Sequence, residues 1–435
     1  MKIMKWIMAV LLVAGMAQAA NRVWSGVNST NFATAGNWSG ANFANTDSMV
    51  FSNTATTGTG LYNNLVTANI AVGGIYFTNN AQAYTISGNQ IKLWSAQPAP
   101  ISTLGAANAQ IINCDINLNR DGTRNISVGT SAPLTLNGII SNTNTTSASG
   151  ITLKTGTGAG GTLTLAGNNT YHGLTTVEKG TLVAAHNNAL GTTEEGTLVW
   201  NTGTLGLSNS ITVAESITLA GGILKNFSGS NTLTGAINVT NQLTASINVL
   251  TGTQLRLAGG SVDVSTQALA FSPEGTGTLT VDEVIFGSGV VTKSGTGTAT
   301  FSVANTYGGG TTVSMGTLIG AANGCFGTNG MQVADAATLI LQSANTLDDL
   351  ANLILGSTSS LTMDFTGSDT VAGISLDGGT NWLSAGTYDA SALSGLGFGT
   401  YGGTGSLTVI PEPATIGMLG LGALITIILR RMRTR

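Results

Sequence analysis

Acid/base work on a glycosidic bond needs two carboxyl groups facing one cleft. The adjacent acidic pairs in this chain are Glu194-Glu195, Asp282-Glu283 and Asp348-Asp349. Neighbours on a strand point to opposite faces, and no two acidic residues stand at i, i+2, the spacing that would align them. These pairs are therefore expected on solvated positions. His172 and His186 are the only histidines and Cys114 and Cys325 the only cysteines, with no clustered ligand spacing, so no zinc site is expected. The cysteines are 211 positions apart and read as two buried thiols rather than a disulfide. Gly156 to Gly161 matches G-x-G-x-x-G, yet it precedes the alternating stretch Thr162 to Leu165 instead of opening a helix, whose N-terminus a phosphate site requires. Calcium loops of the G-G-x-G-x-D type are absent too. The expectation is no catalytic residue, no metal and no cofactor.

The elements that would have to position any chemistry are set by an unusual composition. Only 8% of the 435 residues are charged, 42% are hydrophobic and 61 are glycine. There is enough apolar area to offset the entropy of ordering, so a folded, weakly charged, β-rich body is expected rather than disorder. Six of the 15 basic residues and one of the 19 acidic ones lie in the two end segments. The middle then holds nine basic and eighteen acidic residues, which gives no electrostatic footprint for nucleic acid.

Both ends read as targeting signals. Residues 1–19 carry Lys2 and Lys5, an apolar run from Trp6 to Ala14 and the small residues Ala17-Gln18-Ala19, the layout of a cleavable signal peptide with Ala17 and Ala19 at the cleavage site. Residues 410–435 carry Pro411-Glu412-Pro413, an apolar stretch from Ala414 to Leu429, and Arg430, Arg431, Arg433 and Arg435. Sixteen helical residues rise about 24 Å, close to a hydrocarbon core, so one C-terminal transmembrane helix is expected. The arginines would hold its end in the cytoplasm, with everything before Pro411 outside the inner membrane. This order of motif, helix and basic end resembles the PEP-CTERM sorting signal of Gram-negative bacteria. The resemblance implies recognition by an exosortase-type membrane protease, an inner-membrane-anchored intermediate, a cell-surface or extracellular-matrix destination, and association with extracellular polysaccharide.

Between the signals, Asn169 to Leu182 aligns without gaps, at an offset of 136, with Asn305 to Leu318, and ten of fourteen positions are identical. Each copy follows a lysine and an alternating stretch, Lys154 to Leu165 and Lys293 to Val303. The pattern Asn-Thr-Tyr-x-Gly, Thr-Thr-Val, Gly-Thr-Leu resembles the autotransporter-associated β-strand repeat known as PATR. That implies rungs of a right-handed parallel β-helix in an exported passenger region. Short period-2 pieces such as Leu205/Leu207, Ile237/Val239 and Leu255/Leu257 support an all-β solenoid independently, with a β-sandwich array as the alternative. Tyr171 and Tyr307 are expected to pack at equivalent places on their rungs. His172, replaced by Gly308 in the second copy, is expected on the surface. Trp24, Trp38, Phe43 and Phe51 are expected to cap the N-terminal end, with sugar stacking as the alternative. Gly386 to Tyr388 and Gly405 to Val409 are expected to form a terminal strand pair.

The division expected is 1–19 signal peptide, 20–150 N-terminal cap and first rungs, 151–409 repeat body with clear repeats near 154–191 and 293–327, and 410–435 sorting tail. The expected role is a non-enzymatic, adhesin-like or structural surface protein. A carbohydrate-active β-helix lyase or glycosidase is the alternative.

Overall fold

The computed structural model describes residues 20–410, apart from 41–42, 54–57, 66–70, 79, 95–99, 120–121, 143–148, 155–159 and 242. The signal-peptide positions Ala17 and Ala19 and the tail residues Pro411 to Arg435 lie outside the described residues, and with them the expected transmembrane helix. No described helix is long and apolar enough to cross a membrane.

The body is a parallel β-solenoid of about 14 turns. Every named strand pairing but one joins a strand in parallel to one a turn later. This overturns the sandwich alternative, whose antiparallel hairpins would pair neighbours in sequence. Each turn visits three faces. Thr197, Ile217, Ile237, Val262 and Ile285 stack on the first. Thr204, Ile223, Ser246, Ala270 and Thr292 stack on the second. Leu255, Leu279, Ala299, Leu318, Leu339 and Leu361 stack on the third.

Strict alternation produces this arrangement. In Thr278–Val281, Thr298–Phe301 and Thr338–Leu341 the second and fourth residues are buried and the first and third half-exposed. In these strands the period of two sends the second and fourth side chains, all apolar, into one continuous core and turns the first and third, mostly threonine, outward. No single rung can bury its inner face alone, so each is stabilised only by its neighbours.

Open ends would expose backbone donors and apolar side chains. At the N-terminal end Trp24, Phe32, Trp38, Phe43 and Phe51 are buried together, with Trp24 and Trp38 4.9 Å apart and edge-on. Trp38 Nε1 donates to the Phe32 carbonyl at 2.8 Å. These rings are packed, not presented for stacking. At the other end Gly386–Asp389 runs antiparallel to Ser406–Val409, the expected terminal pair and the one antiparallel strand pairing. The helix Ala390–Ser394, N-capped by Asp389, packs against Thr400–Gly403, and Trp382 bridges to Ser375. The helix thus covers the last strand of the third face.

Candidate functional site

The repeat motif is a built object, and its residues fall into place as a hydrogen-bonded lock. Tyr171 is fully buried, and its hydroxyl lies 2.6 Å from Thr175 Oγ1, which donates to the Leu190 carbonyl at 3.0 Å. Tyr307 lies 2.5 Å from Thr311 Oγ1, which donates to the Phe326 carbonyl. Asn169 Nδ2 donates to Ala189 O and Asn305 Nδ2 to Cys325 O, both at 2.6 Å, while their side-chain oxygens accept from Ile140 and Ile285 N–H. The lock therefore spans adjacent turns. Gly191 and Gly327 complete it, for both have positive φ and a Cβ at Gly191 would stand 2.8 Å from the Tyr171 ring.

The two copies sit on different faces. Thr170 N–H donates to Ile140 O on the third face, whereas Thr306 N–H donates to Ile285 O on the first. Thr175 pairs with Ile151 on the first face, and Thr311 with Val291 on the second. An offset of 136 residues is six turns and one third. Tyr171 and Tyr307 are thus equivalent locally but rotated by one face of the prism.

Residues 153–184 and 291–319 match the family described as passenger-associated-transport-repeat. A curated relative, the adhesin BmaC autotransporter of Brucella suis biovar 1 (strain 1330), is 29% identical over 187 residues. That covers 42% of this chain and 5% of the relative, so the chain spans a small part of the protein it resembles. No solved structure matches. The matched stretches include the Asn, Tyr and Thr side chains of the lock, Asn169, Tyr171 and Thr175 in one copy and Asn305, Tyr307 and Thr311 in the other, so the motif signals architecture.

Lys154 and Lys293, the lysines that precede the two copies, are not equivalent. Ile151 pairs with Thr175 and Leu153 with Val177, so Lys154 is the next residue, pointing out to meet Glu178 at 3.3 Å. Lys293 itself stands in the inward ladder, between Phe271 and Val313. A one-residue slip reverses the face of a strand residue. Its ammonium is fully buried and donates to the carbonyls of Ser294, Gly295 and Met315 at 2.9–3.0 Å, while burial pushes its pKa down to about 8.

The acidic pairs divide. Glu194, Glu195 and Asp349 are exposed as expected. Asp282 accepts from Arg256 Nε at 2.5 Å and from the Ser302 hydroxyl. Glu283 contradicts the expectation of a solvated residue: it is buried, accepts from Gly260 N–H at 3.0 Å, and is pushed up to about 7 by burial. Glu215, in no acidic pair, is also buried, held by the Thr197 hydroxyl at 3.0 Å and pushed up to about 8 by burial. The signal that could have found both is the shared context Thr212-Val-Ala-Glu-Ser-Ile217 and Thr280-Val-Asp-Glu-Val-Ile285, where the carboxyl closes the corner entering the first face.

Asp369 is buried and accepts from the Thr346 and Leu347 N–H groups. These carboxyls serve corners two or more turns apart and do not converge on one cleft. His172 is half-buried rather than exposed, with Nδ1 3.0 Å from Asn142 Oδ1. Cys114 and Cys325 are free and buried, and burial pushes both thiols up to about 12. Among the described residues no group of three or more His, Cys, Asp or Glu side chains could hold a metal.

Proposed function

We propose that this chain is an exported, adhesin-like surface scaffold that contributes to the extracellular polysaccharide matrix, sorted by an exosortase-type membrane protease through Pro411, Glu412 and Pro413. The observation that supports the reading is that both copies of the Asn-Thr-Tyr motif of the lock fall in stretches that match a passenger-repeat family, in a chain that in part resembles an autotransporter adhesin. The polysaccharide partner, the inner-membrane-anchored intermediate and the stop at Arg430, Arg431, Arg433 and Arg435 come from the resemblance of the tail to PEP-CTERM signals. We take the helical sense as right-handed, the hand of nearly all parallel crossovers.

The reading is tested by deleting the gene in the native host and measuring attachment and retention of matrix polysaccharide. Wild-type behaviour of the deletion strain in both would overturn it.

A further inference from the structure

Outside the lock the solenoid carries buried carboxyls at its corners, exposed tryptophans, and the outer surface of the third face. The carboxyls are already explained as corner acceptors. Trp200 and Trp382 lie on different turns and share no cleft. The third face carries more.

From Thr278 to Gly403 it consists of six consecutive strands, Thr278–Val281, Thr298–Phe301, Thr317–Gly320, Thr338–Leu341, Ser360–Met363 and Thr400–Gly403. All pair in unshifted register. One outward column reads Thr278, Thr298, Thr317, Thr338, Ser360, Thr400. The other reads Thr280, Thr300, Ile319, Ile340, Thr362, Gly402. None of the six strands holds a charged residue, and their two aromatics, Phe301 and Tyr401, are both buried. By contrast, Val291–Lys293, Thr311–Val313 and Met331–Val333 on the second face present one outward residue each.

Threonine is a good strand former, which accounts for its presence at outward positions. Strand propensity does not account for what the hydroxyls do. Elsewhere on this solenoid Thr202, Thr234 and Thr251 donate to backbone carbonyls one turn away. The hydroxyls of Thr278, Thr280, Thr298, Thr300, Thr317, Thr338 and Thr362 have no protein partner among the described residues. They must bond solvent. They do so on a grid of about 4.8 Å between strands and about 6.7 Å between alternate residues. The γ-methyls and the Ile319 and Ile340 side chains, which stand in the second column, offer water no other hydrogen-bonding partner on this face.

We propose that this face binds a water lattice, the surface of an ice crystal. A neutral, rigid grid of hydroxyls and methyls meets a periodic solid of neutral hydrogen-bonding groups without rearrangement, and preorganisation of this kind lowers the entropic cost of binding. A sugar polymer is less well served: the face offers neither an aromatic platform nor convergent amide or charged groups. This inference does not rest on the adhesive role.

The experiment slowly freezes a dilute solution of the purified full chain and measures the fraction taken into the growing ice, together with the coarsening of fine ice grains. Wild type is expected to enter ice several-fold more than serum albumin and to arrest coarsening. T298K/T338K is expected to lose both effects, and T298V/T338V, which keeps the methyls, to weaken them, with circular dichroism unchanged. T218K on the first face is the control and should behave as wild type. Wild type partitioning like albumin would overturn the proposal, as would undiminished ice entry by both face variants. Retention on microcrystalline cellulose that the same variants abolish, without ice entry, would assign the face to a sugar polymer and also overturn it.

Discussion

At the scale of the residue, the lock makes the clearest energetic claims. Tyr171 and Tyr307 are buried rings whose hydroxyls are satisfied inside the core, so truncating either to alanine should destabilise its turns by about 3–5 kcal/mol. Tyr171→Phe or Tyr307→Phe should cost only about 1 kcal/mol, because a neutral hydrogen bond is lost while the ring is kept. Urea titration followed by circular dichroism distinguishes the two. Equal losses for phenylalanine and alanine would mean that the hydroxyl, not the ring, carries the stability. The buried glutamates predict a pH dependence. Burial raises Glu215 from 4.5 to about 8 and Glu283 from 4.5 to about 7, so the folded state binds protons that the unfolded chain releases. Their contribution is fully present below about pH 4.5 and is lost as pH climbs to about 7–8, where it levels off. E215Q and E283Q should flatten this fall in melting temperature between pH 5 and 8. A wild-type melting temperature that rises across that interval, and is unaffected by both substitutions, would place these carboxyls in water.

At the scale of the element, the inward lysine is informative because it occupies a ladder otherwise filled by Ile247, Phe271, Val313 and Val333. Its three carbonyl acceptors tie together two successive corners, Ser294-Gly295 and Met315. Lys293→Leu would restore an apolar ladder but strand those carbonyls, each of which had a charge-assisted bond worth about 1.5–3 kcal/mol. A net loss of stability is expected, read as a lower urea midpoint. A higher midpoint would show that desolvating the ammonium outweighs its bonds. The C-terminal cap can be tested by truncation at Leu383, which removes Gly386–Asp389, the helix and the strands that follow. The last third-face strand then becomes Ser360–Met363, with a bare edge, and the shortened chain should self-associate in light scattering where the full chain does not.

At the scale of the whole molecule, the far-ultraviolet spectrum should be that of β-structure with almost no helix from the described body, since five residues of helix stand against some forty strands. The tail makes a separate, proposed claim. Mass spectrometry of envelope or extracellular protein from the native host should find a C-terminus close to Pro411 and no peptide from Ala414 to Leu429. Neutralising Arg430, Arg431, Arg433 and Arg435 should impair that processing. Intact protein ending at Arg435, recovered from the inner membrane of a host that has an exosortase, would make the segment an ordinary anchor.

Much of this was legible in the residues, because a solenoid is nearly one-dimensional. Period-2 alternation determines which side chains point inward, and a repeated local motif determines a local structure, so the all-β class, the buried tyrosines, the aromatic N-terminal cluster and the terminal strand pair all followed from spacing. What needed the tertiary structure was phase. A chain that turns three corners per rung can place the same fourteen residues on any face, and only the count of turns between Asn169 and Asn305 shows that the copies differ by a third of a turn. Phase also separates Lys154 from Lys293, since one residue of slip exchanges inside for outside. Glu215, Glu283 and Asp369 were misread or missed for a related reason. Their burial is decided by backbone N–H or hydroxyl groups from the neighbouring turn, some twenty residues away, and no local pattern records that distance.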